Sequence, residues 1–254
     1  MRISLTVILA ALFSLPVHAS LKAFYTFDGN ANDVTANGYN GTVSNATINA
    51  NGYQGQAYEF NGLNSSIAIY NLDISPLAMP DLTMGAWVKA NSISGIRAIL
   101  SHDNGGYDRN LNIDVRACPT GCVGAFTGTG VLSGAQMSTD IWTFTAVRYS
   151  ASTGEIILTV NGTNYSGTGY PGSGFSNLFI GTNPGFGEVF DGLIDNVFVY
   201  DQFLTEDQMN DVRAQGAPAI QAIGDVPEPS TYVLLGSAFC GLALIRRLGI
   251  VKLR

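Results

Sequence analysis

Short apolar runs, broken by Gly, Asn, Ser and Asp, fill most of this chain, and within them apolar and polar residues alternate at period two. Leu82, Met84, Ala86 and Val88 fall on one face against Thr83, Gly85, Trp87 and Lys89 on the other, the pattern of a strand with one face on a core. The same pattern predicts strands over residues 21–27, 57–60, 66–70, 96–101, 111–115, 143–149, 155–160 and 178–180. Residues 57–60 and 66–70 are expected to pair around Asn61-Gly62. Asn161-Gly162 predicts a type I′ hairpin, because both central residues of that turn need positive φ. Residues 192–200 are apolar on both faces, with Leu193, Val197 and Val199 on one side and Ile194, Phe198 and Tyr200 on the other. Such a strand belongs inside a sheet. Asp195 then falls on the Leu193 face, where a carboxylate is costly unless it is paired, hydrogen-bonded or metal-bound. Thr205-Glu-Asp-Gln208 reads as a capping box opening a short helix. Many short strands with glycine-rich turns predict an all-β antiparallel sandwich over residues 20–213, closed by that helix and followed by a linker over 214–226.

Both ends read as targeting segments. Met1-Arg2, the apolar run 3–15 and the small residues Val17 and Ala19 form a secretory signal peptide over residues 1–19. At the other end Pro227-Glu228-Pro229 precedes an uncharged run over 231–245 and then Arg246-Arg247. Fifteen helical residues reach only about 22 Å, short of a hydrocarbon core of about 30 Å. The proline break before the run and the basic pair after it nevertheless mark a terminal membrane segment with a cytoplasmic basic end. This tail resembles a PEP-CTERM sorting signal over residues 227–254. The resemblance implies export, processing near Pro227, Glu228 and Pro229 by exosortase-type machinery, and delivery to the cell envelope or the extracellular matrix.

The chain has 12 basic and 19 acidic residues; Arg2, Arg246, Arg247, Lys252, Arg254 and Glu228 lie in the terminal segments, which leaves the body at about −11. Nucleic acid is thereby excluded as a partner. In an oxidising compartment Cys118 and Cys122 are expected to form a small disulfide, since a zinc site would need more soft ligands than the body holds.

An ordered set of pieces carries a second resemblance. They are Ala23-Phe-Tyr-Thr-Phe-Asp-Gly-Asn-Ala-Asn-Asp33, Asn40-Gly-Thr42, Gly55-Gln-Ala-Tyr-Glu-Phe-Asn-Gly62, Leu82-Thr-Met-Gly-Ala-Trp-Val-Lys89, Trp142-Thr-Phe-Thr-Ala-Val147, Ser152-Thr-Gly154, Val160-Asn-Gly162 and Gly192-Leu-Ile-Asp195. Together they resemble the laminin-G-like, concanavalin A-like lectin/glucanase jelly roll. That likeness implies adjacent first and last strands, which brings Asp195 near Asp28, Asn30 and Asp33. Neighbouring carboxylates repel unless a cation lies between them, and an all-oxygen set suits Ca²⁺. A structural calcium is therefore expected at Asp28, Asn30, Asp33 and Asp195, with carbonyls of loop 37–41. For ligand binding, the aromatic-bearing loops offer Tyr107, Asp108, Arg109 and Tyr170. The body's four glutamates, Glu59, Glu155, Glu188 and Glu206, lack the period-two spacing of glucanase acids, so no catalysis is expected. The reading is an exported, non-catalytic lectin-like domain binding polysaccharide or a surface protein. A matrix protein with no specific ligand comes second, and a glycan-cleaving enzyme third.

Overall fold

The computed structural model describes residues 20–116 and 118–225; the expected signal peptide, sorting signal and 231–245 span lie outside the described residues. In chain order the strands are β1 (Leu21–Tyr25), β2 (Gly41–Ser44), β3 (Thr47–Asn49), β4 (Ala57–Asn61), β5 (Ser66–Ile69), β6 (Asp81–Ala90), β7 (Arg97–Ser101) and β8 (Asn110–Asp114). They continue with β9 (Cys122–Phe126), β10 (Val131–Gln136), β11 (Thr143–Ser150), β12 (Glu155–Val160), β13 (Thr163–Thr168), β14 (Leu178–Ile180) and β15 (Asp191–Tyr200). Two helices follow, α1 (Glu206–Gln215) and α2 (Ala217–Asp225). One sheet runs β13-β12-β11-β6-β15-β4-β3, with β1 also on β15, and the other runs β10-β9-β8-β7-β14-β5-β2.

Between the sheets the alternating apolar positions interlock. Leu82, Met84, Ala86 and Val88 of β6 meet Leu100, Leu111, Ile113 and Val123 of the facing sheet, all fully buried. The opposite face of the first sheet is closed differently. Phe24, Trp87, Phe144, Phe198 and Tyr200 pack beneath Met209, Val212 and Ile220 of α1 and α2. Thr205 opens α1 with the expected capping box, its hydroxyl accepting from Gln208 N while Gln208 Oε1 accepts from Thr205 N. Residues 217–225, expected as linker, are helical: Ile220 is fully buried and its carbonyl accepts from the Tyr200 hydroxyl. Among the described residues no helix is long and apolar enough to cross a membrane.

The structure alters two strand expectations. Residues 57–60 and 66–70 do not pair with each other, because the chain changes sheet between β4 and β5. On β15 the pairing with β6 slips between Asp195 and Phe198, and Asn196 sits at φ 48°. This bulge inserts an extra residue and switches faces. Ile194, Val197 and Val199 consequently share the inter-sheet core, while Phe198 and Tyr200 lie under the helices. The single alternation read from the sequence cannot carry through an inserted residue. The Asn161-Gly162 hairpin forms as expected, with φ 49° and 89°. Cys118 and Cys122 are joined as a disulfide.

Candidate functional site

Among the described residues no helix packs on the outer face of the second sheet. On β8 the residues alternating with Leu111 and Ile113 are Asn110, Asn112 and Asp114, all polar and at most 1% exposed. Loops 102–109 and 181–190, which flank strands of this sheet, supply the walls around them. A cleft of about 170 Å³ opens there, lined by Asp103, Gly105, Tyr107, Arg116, Phe126, Phe186 and Glu188. Phe186, half exposed, stands over Gly105, whose φ is 119°. Phe186 and Glu188 also border a shallower depression of about 490 Å³ that continues past Gly187 and Arg97 to Gly62. The two together make a groove rather than an isolated pocket.

The cleft's polar groups are tightly held. Asp103 Oδ1 accepts from the N–H groups of Asp108 (2.9 Å) and Gly105 (3.2 Å), which folds the loop back on itself. The Asn183 amide nitrogen bridges Asp103 Oδ2 (3.0 Å) and Glu188 Oε2 (2.8 Å). Burial pushes the Glu188 carboxyl above its usual range, against the lowering effect of that bond. Arg116 forks onto Asp114, and its guanidinium lies 5.2 Å from the Tyr107 ring centre and 5.0 Å from that of Phe126. The bond to Asp114 holds the guanidinium pKa up. Tyr107 itself occupies the left-handed region at φ 55°, a conformation that costs a bulky residue energy and turns its ring toward Phe126.

Of the residues singled out for ligand binding, only Tyr107 lines this cleft. Asp108 is 2% exposed and accepts from Asn104 N. Arg109 is 1% exposed and donates to the carbonyls of Ile74 (2.8 Å), Met79 (2.5 Å) and Pro80 (3.0 Å), so it faces the protein and not a ligand. Tyr170 is 71% exposed on a separate hollow of about 130 Å³ beside Pro76 and Pro171. The sequence reading missed Asp103, Asp114, Arg116, Phe126, Phe186 and Glu188 as one site. The available signal was Asn110-Leu-Asn-Ile-Asp114, a strand whose polar face follows a glycine-rich aromatic loop.

The four expected calcium ligands separate into two groups. Asp33 uses both oxygens on the protein, accepting from the N–H groups of Phe24, Thr35 and Tyr39 and from the Thr35 hydroxyl. Asn30 closes its own turn through Asn32 N. Asp28 and Asp195 instead converge on loop 52–56: Gln56 N donates to Asp28 Oδ1 and Gln54 N to Asp195 Oδ2, each at 2.9 Å. A Cβ on Gly55 would fall 2.2 Å from Asp28 Oδ1, so the loop presses on that carboxylate. Asp195 is fully buried, which pushes its carboxyl up to about 7, with the Asp28 charge adding to the effect. Among the described residues no three His, Cys, Asp or Glu side chains converge as a metal set. Asp195 accepts from Asn196 N (2.6 Å) as well as Gln54 N, and Asp28 from Gln56 N, which leaves both carboxylates acceptor capacity for an oxygen-ligated cation completed by backbone carbonyls; Asp33 takes four donors and has none to spare.

A two-sheet sandwich with this strand order, and a match of residues 61–210 to the family described as the concanavalin A-like lectin/glucanases superfamily, decide the family. The chain belongs to that superfamily. No curated protein matches it. Among solved structures it is similar to domain 4 of AbnA, a GH43 extracellular arabinanase from Geobacillus stearothermophilus, in complex with arabinotriose. The TM-score is 0.61 at 21% identity, covering 78% of this chain and 100% of that one. It is also similar to the botulinum neurotoxin serotype D ligand binding domain in complex with N-acetylneuraminic acid (TM-score 0.58, 16% identity, 78% of this chain and 51% of that one). A third is the binding domain of Paraclostridial Mosquitocidal Protein 1 (TM-score 0.60, 14% identity, 76% and 52%). The superfamily member described here thus spans about half the length of the two toxin domains, and at these identities the likeness concerns the fold.

Proposed function

We propose that this superfamily member is a non-catalytic, lectin-like domain that binds a polysaccharide at the groove on the outer face of β7, β8 and β9. The observation that carries the reading is the combination in one cleft of three aromatic rings, Tyr107, Phe126 and Phe186, with the fixed carboxylates of Asp103 and Glu188. Aromatic faces stack the C–H faces of sugars, and rigid acceptors orient hydroxyls. The shared border with the wider depression suits a chain of several units rather than a single sugar. Against catalysis stands Asn183: its amide nitrogen occupies the space between the two carboxylates, where a glycosidase would place the reacting carbon. We read the apolar run 3–15 and the Pro227-Glu228-Pro229 tail as export signals, which would make this an exported protein of the envelope or extracellular matrix with exosortase-type machinery as its processing partner. A structural Ca²⁺ at Asp28 and Asp195 is part of the same proposal. When bound, it would relieve the repulsion between those carboxylates and fix loop 52–56.

A glycan array with the purified full chain, run with calcium and again with chelator, tests the reading. Saturable binding that falls at least tenfold in Phe186→Ala, with no product released from the glycans, is expected. Absence of binding under both conditions refutes it and leaves the structural matrix role. Release of product from the glycans restores the enzyme reading.

A further inference from the structure

We propose that the sugar unit seated in the cleft carries a free amine, as a de-N-acetylated hexosamine does, and that uronic and sialic acids are rejected. The inference rests on the glycan-binding reading and goes on to name the ligand's chemistry.

The cleft is rich in acceptors and short of free cations. Among the described residues lining it, Arg116 is the one positive side chain, and Asp114 pairs with it through a forked contact. In the adjoining depression Arg97 spends Nε on Ser94 O, Nη1 on Val189 O and Nη2 on Ser92 Oγ. A carboxylate on the ligand would therefore find no unpaired cation in the cleft itself, and Arg97 in the adjoining depression is held by neutral acceptors. It would instead face Asp103 and Glu188. Those two share one nitrogen at 3.0 and 2.8 Å, so the bridged oxygens are at most 5.8 Å apart. Arg116, Asp114, Asp103 and Glu188 together leave a net two negative charges in a half-enclosed space, where charges act more strongly than in water.

The hydrogen-bond count points the same way. Asn183, 1% exposed, has a carboxamide oxygen with no partner, while its amide nitrogen already donates to both cleft carboxylates. Acceptors left over beneath a cavity call for donors from outside, by ligand or by water. An ammonium brings three donors and a positive charge, whereas an acetamide brings one donor and one further acceptor. The half-exposed Phe186 ring adds a face that attracts a cation. Desolvation raises the Glu188 carboxyl by more than the Asn183 hydrogen bond and the Arg116 charge lower it.

Calorimetry on the purified full chain tests this with three probes of equal length: glucosamine oligomers, N-acetylglucosamine oligomers and galacturonic acid oligomers. The expected result is binding of the glucosamine series at least about tenfold tighter than the acetylated series, with no saturable binding of the galacturonic series. Glu188→Gln keeps an acceptor for Asn183 but removes the charge, and it should abolish the preference. A preference that survives in Glu188→Gln overturns the inference, because general attraction of a polycation to this acidic chain would then explain it. Equal affinity for the amine and acetamide series, or tighter binding of the acid series, also overturns it while leaving the glycan-binding reading intact. Failure of all three probes, with Phe186→Ala changing nothing, removes both.

Discussion

Arg109→Met separates a structural arginine from a ligand-binding one. The guanidinium donates to three backbone carbonyls, of Ile74, Met79 and Pro80, and its carbon lies 5.4 Å from the Tyr149 ring centre. It thereby straps segment 74–80, which leads into β6, against the base of β8. Hydrogen bonds from a charged donor contribute about 1.5–3 kcal/mol each, so the three contribute about 4.5–9 kcal/mol. Burial of the charge opposes this. It depresses the guanidinium from its ordinary range to about 10, equivalent to about 3.5 kcal/mol at about 1.4 kcal/mol per pH unit. The net loss expected for Arg109→Met, which keeps most of the stem's volume, is about 4 kcal/mol. With a slope of about 2 kcal/mol per molar urea, the unfolding midpoint should fall by about 2 M. Arg109→Lys should lie between the two, because an ammonium cannot span three carbonyls in a plane. Urea unfolding followed by tryptophan fluorescence, paired with glycan titration well below the midpoint, is the assay. A midpoint shift below about 0.5 M would refute the strap. Loss of glycan affinity in a variant of unchanged stability would return Arg109 to the binding surface.

Two further predictions concern ions. Calcium at about a hundred times its dissociation constant should stabilise the chain by about 2.7 kcal/mol; melting curves with calcium and with chelator should show the gain lost in Asp28→Asn. Asp33→Asn should melt earlier under both conditions yet keep the calcium response, since Asp33 serves its own loop; loss of the response there would put Asp33 back among the ligands. The second concerns His102, which is fully buried, with Nδ1 3.2 Å from Arg109 O and Nε2 without a partner. Burial lowers its pKa below 6.5, so as pH falls through 6.5 the unfolded chain takes up a proton that the folded one refuses, and stability falls until the folded pKa is reached. Glu188 and Asp195, both raised, contribute with the opposite sign. His102→Gln should therefore lose less stability than the parent chain between pH 7 and about pH 5 in urea titrations, and an equal loss in both would count against the neutral buried ring.

The fold was legible where a residue's role depends on its sequence neighbours. Alternation on β6, the Asn161-Gly162 turn and the Thr205 capping box all act within a few residues, and each stands where the pattern placed it. The cleft was not legible, because Asp103 and Glu188 lie 85 positions apart and meet only through Asn183. Arg109 shows the opposite failure: an arginine between Asp and Asn in a loop reads as a surface charge, and only distant carbonyls at 74, 79 and 80 make its burial affordable. Asp195 was rightly singled out as a costly carboxylate. Its partners on loop 52–56 come from more than a hundred residues away, and the bulge beside it leaves no mark in an apolar run.

That bulge also bears on the order in which the protein can assemble. One edge of β15 is shared end to end by two strands, β4 along residues 191–194 and β1 along residues 197–200, while the other edge is covered by β6. Until β15 has been synthesised, three earlier strands wait with open hydrogen-bonding edges and the first sheet has an empty lane at its centre. Closure must then join Leu21 to Tyr200 across nearly the whole domain, a contact of the kind that slows folding. A growing chain can form the β7-β8-β9 meander beforehand, but not the sandwich. Completion falls to the last strand made.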